Sequence, residues 1–332
     1  MTATALNLPG VQIAAMPRAE PLAAHWLADA RWRFDRALWS PYIGFALRRA
    51  TAIADPVDRA ARYARMREAF RSVEAKHAML MEAAVLGLRV ERAWPSGPAL
   101  SRIAGPGWRD DALLLYVPGG SFVVERSPQF TAMIARIARA AEVDALVCDY
   151  RLSPEHPAPA AIEDVVAAFA VLAAQGIAAN RVIVVAESAG ACIALAAAQR
   201  MTARGEAPGG LALLSPWVDC NPASAQLDAA SRQCARLYLA GADPCDPAIN
   251  PAHGVMRGLP PIAIHANRGD PLFADAELLA RRAAAAGTRV DLRLWPGRMH
   301  VLERHDSADA RRSVAELATF VRRQLVPLRD VG

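Results

Sequence analysis

A serine at the junction between a β-branched run and a helical pattern is the first candidate for chemistry in this chain. Ser188 follows Val184-Val185-Ala186-Glu187 and precedes Ala189-Gly190, after which the composition becomes helical. Small residues two before and two after such a serine let strand and helix pack closely while the hydroxyl points into open space. The usual spelling is G-x-S-x-G, and Ala186 replaces its first glycine. The pattern predicts a nucleophile elbow; the alternative is an ordinary helix start.

Two further side chains could activate this hydroxyl, because a serine needs a base to take its proton and a carboxylate to orient that base. Asp270 follows the apolar run from Pro261 to His265, and His300 follows the run from Val290 to Leu294. Each comes after a predicted strand, in the chain order serine, aspartate, histidine. The alternatives are that Asp270 merely caps the next helix and that His300 is an ordinary loop residue. Asp275 is the rival acid, although it lies within that next helix.

A glycine turn after another predicted strand offers donors for a developing oxyanion. Pro118-Gly119-Gly120-Ser121 directly follows the strand that ends at Val117. Exposed backbone N–H groups stabilise the charge of an acyl-transfer transition state, each typically by about 3 kcal/mol. We predict Gly119 and Gly120 as donors, with Ala189 at the start of the elbow helix as the third. The alternative is a turn that binds no ligand.

Alternating strands and helices must position these groups. Apolar runs predict strands over 112–117, 144–148, 181–185, 211–214, 261–265 and 290–294, and helical patterns cover 129–141, 160–175, 188–204, 274–286 and 308–325. A period of two also begins at Leu88, whereas residues 21–82 are helical in character and broken at Pro41 and Asp55-Pro56. The alternation predicts an α/β fold with a mostly parallel sheet covered by helices on both faces and function at the carboxyl ends of the strands.

The composition bounds the class of protein. Of 332 residues, 54% are apolar and 21% charged, which is enough for a large core. No apolar run is long enough to cross a bilayer, and residues 1–20 lack the pattern of a secretory signal, so we expect a cytoplasmic protein. The five cysteines form no C-x-x-C pair, which argues against a disulfide framework and a metal site. The net charge of +5 comes from scattered arginines, so nucleic-acid binding is not expected.

Five segments spread over roughly three quarters of the chain carry a family pattern. They are Tyr116 to Phe122, Asp149 to Pro157 with Asp164, Glu187 to Gly190, Ser215 to Asp219, and Gly258 to Asp275. Through them the chain resembles the hormone-sensitive-lipase branch of the α/β-hydrolases, the bacterial esterase family. The second segment is the most specific, and in that family it precedes the elbow and braces the floor of the active site.

The resemblance implies a role for each candidate residue. Ser188 would be the nucleophile, Asp270 the orienting acid and His300 the general base, with the three oxyanion donors named above. It implies an N-terminal helical cap segment over 1–84 and a catalytic domain over 85–332. Phe122 and Trp217 become candidates for the acyl or alcohol pocket. Five aromatic residues of the N-terminal segment become candidates for the pocket or for the core of the cap, with core packing as the alternative: Trp26, Trp32, Trp39, Tyr42 and Phe45. No cofactor or metal is required, and a homodimer is compatible by analogy.

The chain departs from the family pattern at three positions. Pro118 stands where the family has a histidine that braces the oxyanion turn, and Ser121 stands where the third small residue is usually glycine or alanine. Ala186 replaces the first elbow glycine, as in some related lipases. Because proline fixes its own φ, the turn is expected to be stiffened by another route.

Hydrolysis of small-molecule carboxylic esters with short or medium acyl chains is the function that these residues favour. Two alternatives stay open. The same triad could open a lactone or transfer an acyl group in a biosynthetic pathway. A non-catalytic ligand-binding protein is the third reading, as in the plant gibberellin receptor, which resembles this family but has lost the histidine.

Overall fold

A nine-stranded sheet forms the centre of the molecule. The computed structural model describes residues 8–16, 45–78, 89–92, 98–105, 109–126 and 128–325. The strands are β1 Val11–Ala15, β2 Arg89–Arg92, β3 Ala99–Ala104, β4 Arg109–Val117, β5 Val143–Asp149, β6 Val182–Glu187, β7 Gly210–Leu214, β8 Ile262–Asn267 and β9 Val290–Trp295. Their order across the sheet is β1-β9-β8-β7-β6-β4-β5-β3-β2.

Most of this sheet is parallel, as the alternating sequence predicts. Only the β2–β3 and β3–β5 pairs are antiparallel. The central strands β6, β7 and β8 are buried at every residue. A strand covered by helices on both faces needs apolar side chains on both, which explains why these strands are apolar except at Glu187, His265 and Asn267.

Helices flank the sheet and connect its strands. Those with both ends described are α1 Pro56–Ala78, α2 Pro128–Ala141, α3 Ala160–Ala174, α4 Ala189–Thr202, α5 Ala229–Leu239, α6 Phe273–Ala285 and α7 Ala308–Leu325. Residues 45–51 are also helical. The predicted break at Asp55-Pro56 is the start of α1, where Asp55 Oδ1 accepts hydrogen bonds from the N–H groups of Val57 (2.8 Å) and Asp58 (2.9 Å). Across the described ranges, no helix is both long and apolar enough to cross a membrane.

The helix α1 of the N-terminal segment is docked on the body of the molecule. Arg67 pairs with both carboxylate oxygens of Glu155 at 2.8 Å and donates to the carbonyls of Val123 (2.9 Å) and Ser153 (3.0 Å). Tyr63 and Met66 are buried with Leu47, Val123 and Val124 in a small apolar cluster. This contact places α1 against the segment that follows the predicted oxyanion turn.

The predicted fold class is confirmed, and three elements were missed: β1, β3 and α5. The strand β1 is short and pairs only with β9, and β3 carries polar residues at the far side of the sheet. The start of α5 did have a local signal, because Asp228 caps it by accepting from the Ser231 N–H at 2.8 Å. The predicted domain boundary at 84/85 and the aromatic residues Trp26, Trp32, Trp39 and Tyr42 lie outside the described residues.

Candidate active site

Ser188 occupies the sharp turn between β6 and α4. Its φ of 51° and ψ of −128° are unusual for a residue other than glycine, and they aim the side chain away from both elements. The Ser188 N–H donates to the Leu214 carbonyl (3.1 Å), and the Ser188 carbonyl accepts from the Trp217 N–H (3.0 Å). Gly190 has no room for a Cβ atom, which would overlap the Val117 carbonyl and lie 2.6 Å from that of Pro118. Close packing therefore requires glycine at position 190, two residues after the serine.

Asp270 and His300 are hydrogen-bonded to each other at the carboxyl ends of the neighbouring strands β8 and β9. His300 Nδ1 lies 2.9 Å from Asp270 Oδ2, and the carboxylate is almost fully buried. Asp270 Oδ1 also accepts from the Leu272 N–H at 2.9 Å, so the alternative in which this acid stabilises the start of the next helix is true as well. The bond to Nδ1 orients the ring and leaves Nε2 as the nitrogen for proton transfer.

The segment that starts at Ser215 links the elbow to the loop of His300. Ser215 Oγ accepts from the N–H of Val301 at 2.9 Å, while Trp217, two residues later, donates its N–H to Ser188. The segment 215–217 is therefore hydrogen-bonded both to Ser188 and to Val301, the residue after His300. The Ser188 hydroxyl makes no hydrogen bond within the part of the chain that the structure describes. Catalytic hydrogen bonds are often long before substrate binds, and this hydroxyl is free to rotate.

The predicted oxyanion turn is held by a buried carboxylate that sequence analysis did not consider. The Gly119 N–H donates to Glu187 Oε1, and a Cβ on Gly119 would lie 2.7 Å from the same oxygen. Gly119 as an oxyanion donor stays a prediction, and in this structure its N–H has Glu187 as acceptor. The N–H groups of Gly120 and Ala189 have no acceptor among the described residues. Gly120 has a φ of 123°, which favours glycine.

Two tyrosines complete the support of this turn. Tyr150 donates its hydroxyl to the Pro118 carbonyl (2.7 Å), and Tyr116 donates to Glu187 Oε1 (3.2 Å). Burial raises the pKa of the Glu187 carboxyl above its usual range, although the bond from Gly119 opposes this. Tyr150 belongs to the segment that the family resemblance assigns to bracing the floor of the site. The turn, in which Pro118 replaces the family histidine, is thus held through its main chain by the Glu187 carboxylate and the Tyr150 hydroxyl.

The rival acid Asp275 does not contact His300. Its Oδ2 accepts from the N–H groups of Val218 (2.7 Å) and Asp219 (2.9 Å), and its Oδ1 accepts from Gln226 Nε2 (2.5 Å). The side chain is 1% exposed, and burial raises the pKa of this carboxyl to about 6. Asp275 therefore fixes the segment after β7, next to Trp217, while Asp270 is the partner of His300.

Asp275→Asn should change how stability depends on pH. An acid whose pKa is higher in the folded chain destabilises the fold as pH rises from the unfolded value to the folded one. The difference between 3.8 and about 6 corresponds to roughly 3 kcal/mol. Asparagine can keep the two backbone bonds if the Gln226 amide turns over, and it does not titrate. We expect the variant to gain stability relative to the parent by up to that amount between pH 4 and pH 7, measured by urea unfolding. Parallel pH curves for the two proteins would contradict this.

The two aromatic residues predicted to face the pocket are core side chains among the described residues. Phe122 and Trp217 are each 1% exposed, with ring centroids 5.1 Å apart, and Phe122 stacks on Tyr238 at 4.1 Å. Trp217 Nε1 donates to the Asp219 carbonyl at 2.7 Å. These contacts agree with the packing alternative. Phe45 is 51% exposed, and Trp39 and Tyr42 lie outside the described residues.

Candidate metal ligands are not clustered in the regions that the structure describes. No group of three or more His, Cys, Asp or Glu side chains there could hold a metal ion. All five cysteines are free thiols, and only Cys245 is exposed. The groups available for chemistry at the described site are thus a serine, an imidazole, carboxylates and backbone N–H groups.

Comparisons with known proteins agree with this architecture. A family model described as the α/β-hydrolase fold matches residues 114–304, which is more than half of the chain, and the chain belongs to that family. An acetyl-hydrolase of Streptomyces hygroscopicus is 36% identical over 231 residues, or 65% of this chain and 77% of the relative. The esterase LipU of Mycobacterium tuberculosis is 29% identical over 229 residues, or 63% of this chain and 77% of the relative.

A similar solved structure indicates the branch of the α/β-hydrolases. An esterase from the bacterial hormone-sensitive lipase family has a TM-score of 0.70 and 28% identity, and the match covers 86% of this chain and 98% of that one. Together these relatives confirm the resemblance to the hormone-sensitive-lipase-like bacterial esterases. The protein is an ester-hydrolysing enzyme of that branch.

Proposed function

We propose that this enzyme hydrolyses small carboxylic esters with short acyl chains through an acyl-enzyme on Ser188. The observation that carries the proposal is the hydrogen bond of 2.9 Å between Asp270 and His300, which follow β8 and β9, the second and third strands from β6 in the sheet. A serine on a strained turn, a buried carboxylate and a partly exposed imidazole have few other uses when all three follow strands of one parallel sheet at their carboxyl ends. The acetyl-hydrolase among the relatives supports a short acyl chain.

The first half of the reaction forms the acyl-enzyme. Ser188 Oγ attacks the ester carbonyl while His300 Nε2 takes the hydroxyl proton, and Asp270 stabilises the imidazolium that results. The N–H groups of Gly120 and Ala189 donate hydrogen bonds to the negatively charged tetrahedral oxygen, since the Gly119 N–H donates to Glu187. When the intermediate collapses, the alkoxide leaves with the proton from His300, and the acyl group stays on Ser188.

The second half releases the acid. Water gives a proton to His300 Nε2 as its oxygen attacks the acyl carbonyl, and the same two N–H groups bind the second oxyanion. Collapse breaks the bond to Ser188 Oγ, which takes the proton back from His300. Both halves use only residues of this chain. A cytoplasmic location and a homodimer stay predictions.

Covalent labelling together with turnover tests the proposal. The purified protein is incubated with p-nitrophenyl acetate, butyrate and octanoate, and separately with a fluorophosphonate whose attachment site is mapped by mass spectrometry. We expect turnover that falls with chain length and a label on Ser188 alone. Labelling of Ser188 without turnover of any ester would replace this proposal by a narrow substrate such as a lactone. Absence of both would favour a ligand-binding protein and overturn it.

Pro118→His should leave the rate with p-nitrophenyl acetate unchanged or higher. The structure supports the turn through the Pro118 carbonyl and Tyr150, and this support does not use the proline ring. The matched variant Tyr150→Phe removes the donor and should lower kcat more than Pro118→His does. A loss of more than about tenfold in Pro118→His, which is about 1.4 kcal/mol in the barrier, would show that the proline itself is needed.

A further inference from the structure

A second buried polar cluster lies behind the loop of His300 and has no part in the proposed mechanism. His265 Nδ1 lies 2.7 Å from Ser313 Oγ and 3.3 Å from Glu303 Oε1, and Ser313 Oγ is hydrogen-bonded to the same Glu303 oxygen. The Trp295 indole N–H also donates to His265 Nδ1 at 3.3 Å. We call His265, Glu303 and Ser313 the rear cluster.

The rear cluster cannot be a second active site. Its side chains are 3%, 1% and 0% exposed for His265, Glu303 and Ser313, so no substrate reaches the serine. Burying a carboxylate and an imidazole is costly unless both are hydrogen-bonded, and such groups need a structural or functional reason. The three residues belong to three different elements: His265 to β8, Ser313 to α7, and Glu303 to the short turn at Leu302–Arg304. The cluster therefore ties that turn to the sheet and to a helix.

The turn that carries Glu303 is the continuation of the His300 loop. Glu303 comes three residues after His300, and between them Val301 has a φ of 54°, a strained value for a β-branched residue. Such a conformation persists only where its surroundings fix it. The Asn267 amide donates to the Met299 carbonyl at 2.6 Å, and Ser215 Oγ holds the Val301 N–H.

The far side of the same loop is held by a half-buried arginine. Arg136 Nη2 donates to the Glu303 carbonyl (2.6 Å) and Nη1 to the His305 carbonyl (3.0 Å). The loop is thus fixed through its main chain before and after Glu303. Beyond His300, the described loop adds apolar side chains that are buried, Met299, Val301 and Leu302, and one buried carboxylate, Glu303, which hydrogen-bonds within the rear cluster.

The number of protons shared by His265, Ser313 and Glu303 limits how they can be hydrogen-bonded. Ser313 has one hydroxyl proton, so it cannot donate to both neighbours. If it donates to the Glu303 carboxylate, the His265 Nδ1–H must donate to Ser313 Oγ, and the Trp295 N–H then loses Nδ1 as its acceptor. If it donates to a bare Nδ1, a protonated Glu303 must donate to Ser313. In both arrangements Ser313 Oγ joins the two side chains only if a second proton, on His265 Nδ1 or on Glu303, accompanies the hydroxyl proton.

We infer that the rear cluster positions His300, with His265, Glu303 and Ser313 acting as positioning residues for the general base. This inference rests on the proposed function, because it takes His300 as the base. A displacement of about 1 Å in a catalytic group can cost on the order of a hundredfold in rate. An anchor three residues from the imidazole controls a displacement of that kind without touching the substrate.

Ser313→Ala tests the inference, with Glu303→Gln and Thr319→Ala as comparisons. Alanine removes the hydroxyl that bridges His265 and Glu303 and leaves only their direct contact of 3.3 Å. Glutamine can keep it, because its amide donates to Ser313 Oγ while the serine donates to Nδ1. Thr319→Ala removes an exposed hydroxyl that bonds only within the same part of α7. The measurements are kcat and KM for p-nitrophenyl acetate and the amide hydrogen exchange of residues 297–305 without substrate.

We expect Ser313→Ala to lower kcat by on the order of tenfold to a hundredfold with little change in KM, and to speed exchange of residues 297–305 at least about tenfold. Glu303→Gln and Thr319→Ala should stay close to the parent in both. Parent-like exchange in Ser313→Ala, or equal losses in Thr319→Ala, would overturn the inference. If Ser313→Ala does not fold, Ser313→Cys is judged by the same criteria. Exchange needs no substrate, so an enzyme that hydrolysed no ester would refute the proposed function and leave the anchoring of the loop separately measurable.

Discussion

Ser188→Ala is expected to lower kcat for p-nitrophenyl acetate by about 10⁵-fold to 10⁶-fold, which is the scale seen when the nucleophile of a serine hydrolase is removed. The attack that forms the acyl-enzyme needs the hydroxyl, and no second hydroxyl stands on the elbow. Binding and the oxyanion donors remain, so a small residual rate above that of water is compatible with the proposal. Initial rates at high enzyme concentration measure it.

The fold of this variant provides the control. The Ser188 hydroxyl makes no hydrogen bond within the described residues, and alanine meets the same backbone angles at a similar cost. The melting temperature should therefore stay close to that of the parent, while fluorophosphonate labelling disappears. More than about a hundredth of the parent rate, with labelling at another residue, would place the nucleophile elsewhere.

Asp270→Asn is expected to lower kcat by about 10⁴-fold, the second largest effect. The asparagine amide can donate to His300 Nδ1, which places the ring proton on Nε2. In that tautomer the imidazole cannot accept the proton of Ser188. The substitution keeps the size of the side chain and the acceptor for the Leu272 N–H, so substrate binding and folding should change far less than kcat.

Asp275→Asn is the matched comparison, because both acids follow β8 and both are buried. Asp275 contacts the backbone of Val218 and Asp219 and makes no described contact with His300. Its replacement should leave kcat within about tenfold of the parent. If the two variants lost activity equally, Asp270 would not be the distinctive partner of the histidine.

The alternation of strands and helices was predictable because its signals are local. Runs such as 182–186 are apolar at every position, and this is what a strand buried on both faces requires. The positions of Asp270 and His300 followed from the same reasoning, since each comes directly after such a run. The hydrogen bond between them then depends on β8 and β9 being neighbours, as the sheet order makes them.

The hydrogen bond from the Gly119 N–H to Glu187 could not be predicted from the glycine turn alone. Its acceptor, Glu187, lies 68 residues later, and only the pairing of β4 with β6 brings the two together. The one local signal was a carboxylate at the end of an apolar strand, directly before the serine. The roles of Ser313 and Glu303 depend in the same way on a helix packing behind the sheet.

The strand β1 has a practical consequence for anyone who shortens this protein at its N-terminus. It lies parallel to β9, from Val11 beside Val290 to Ala15 beside Leu294, and Met16 donates its N–H to the Leu294 carbonyl at 2.8 Å. Without it, the strand that leads to His300 would become the rim of the sheet, with a row of unsatisfied peptide groups open to other chains. Trimming the first sixteen residues would then favour self-association through the very strand that delivers the imidazole.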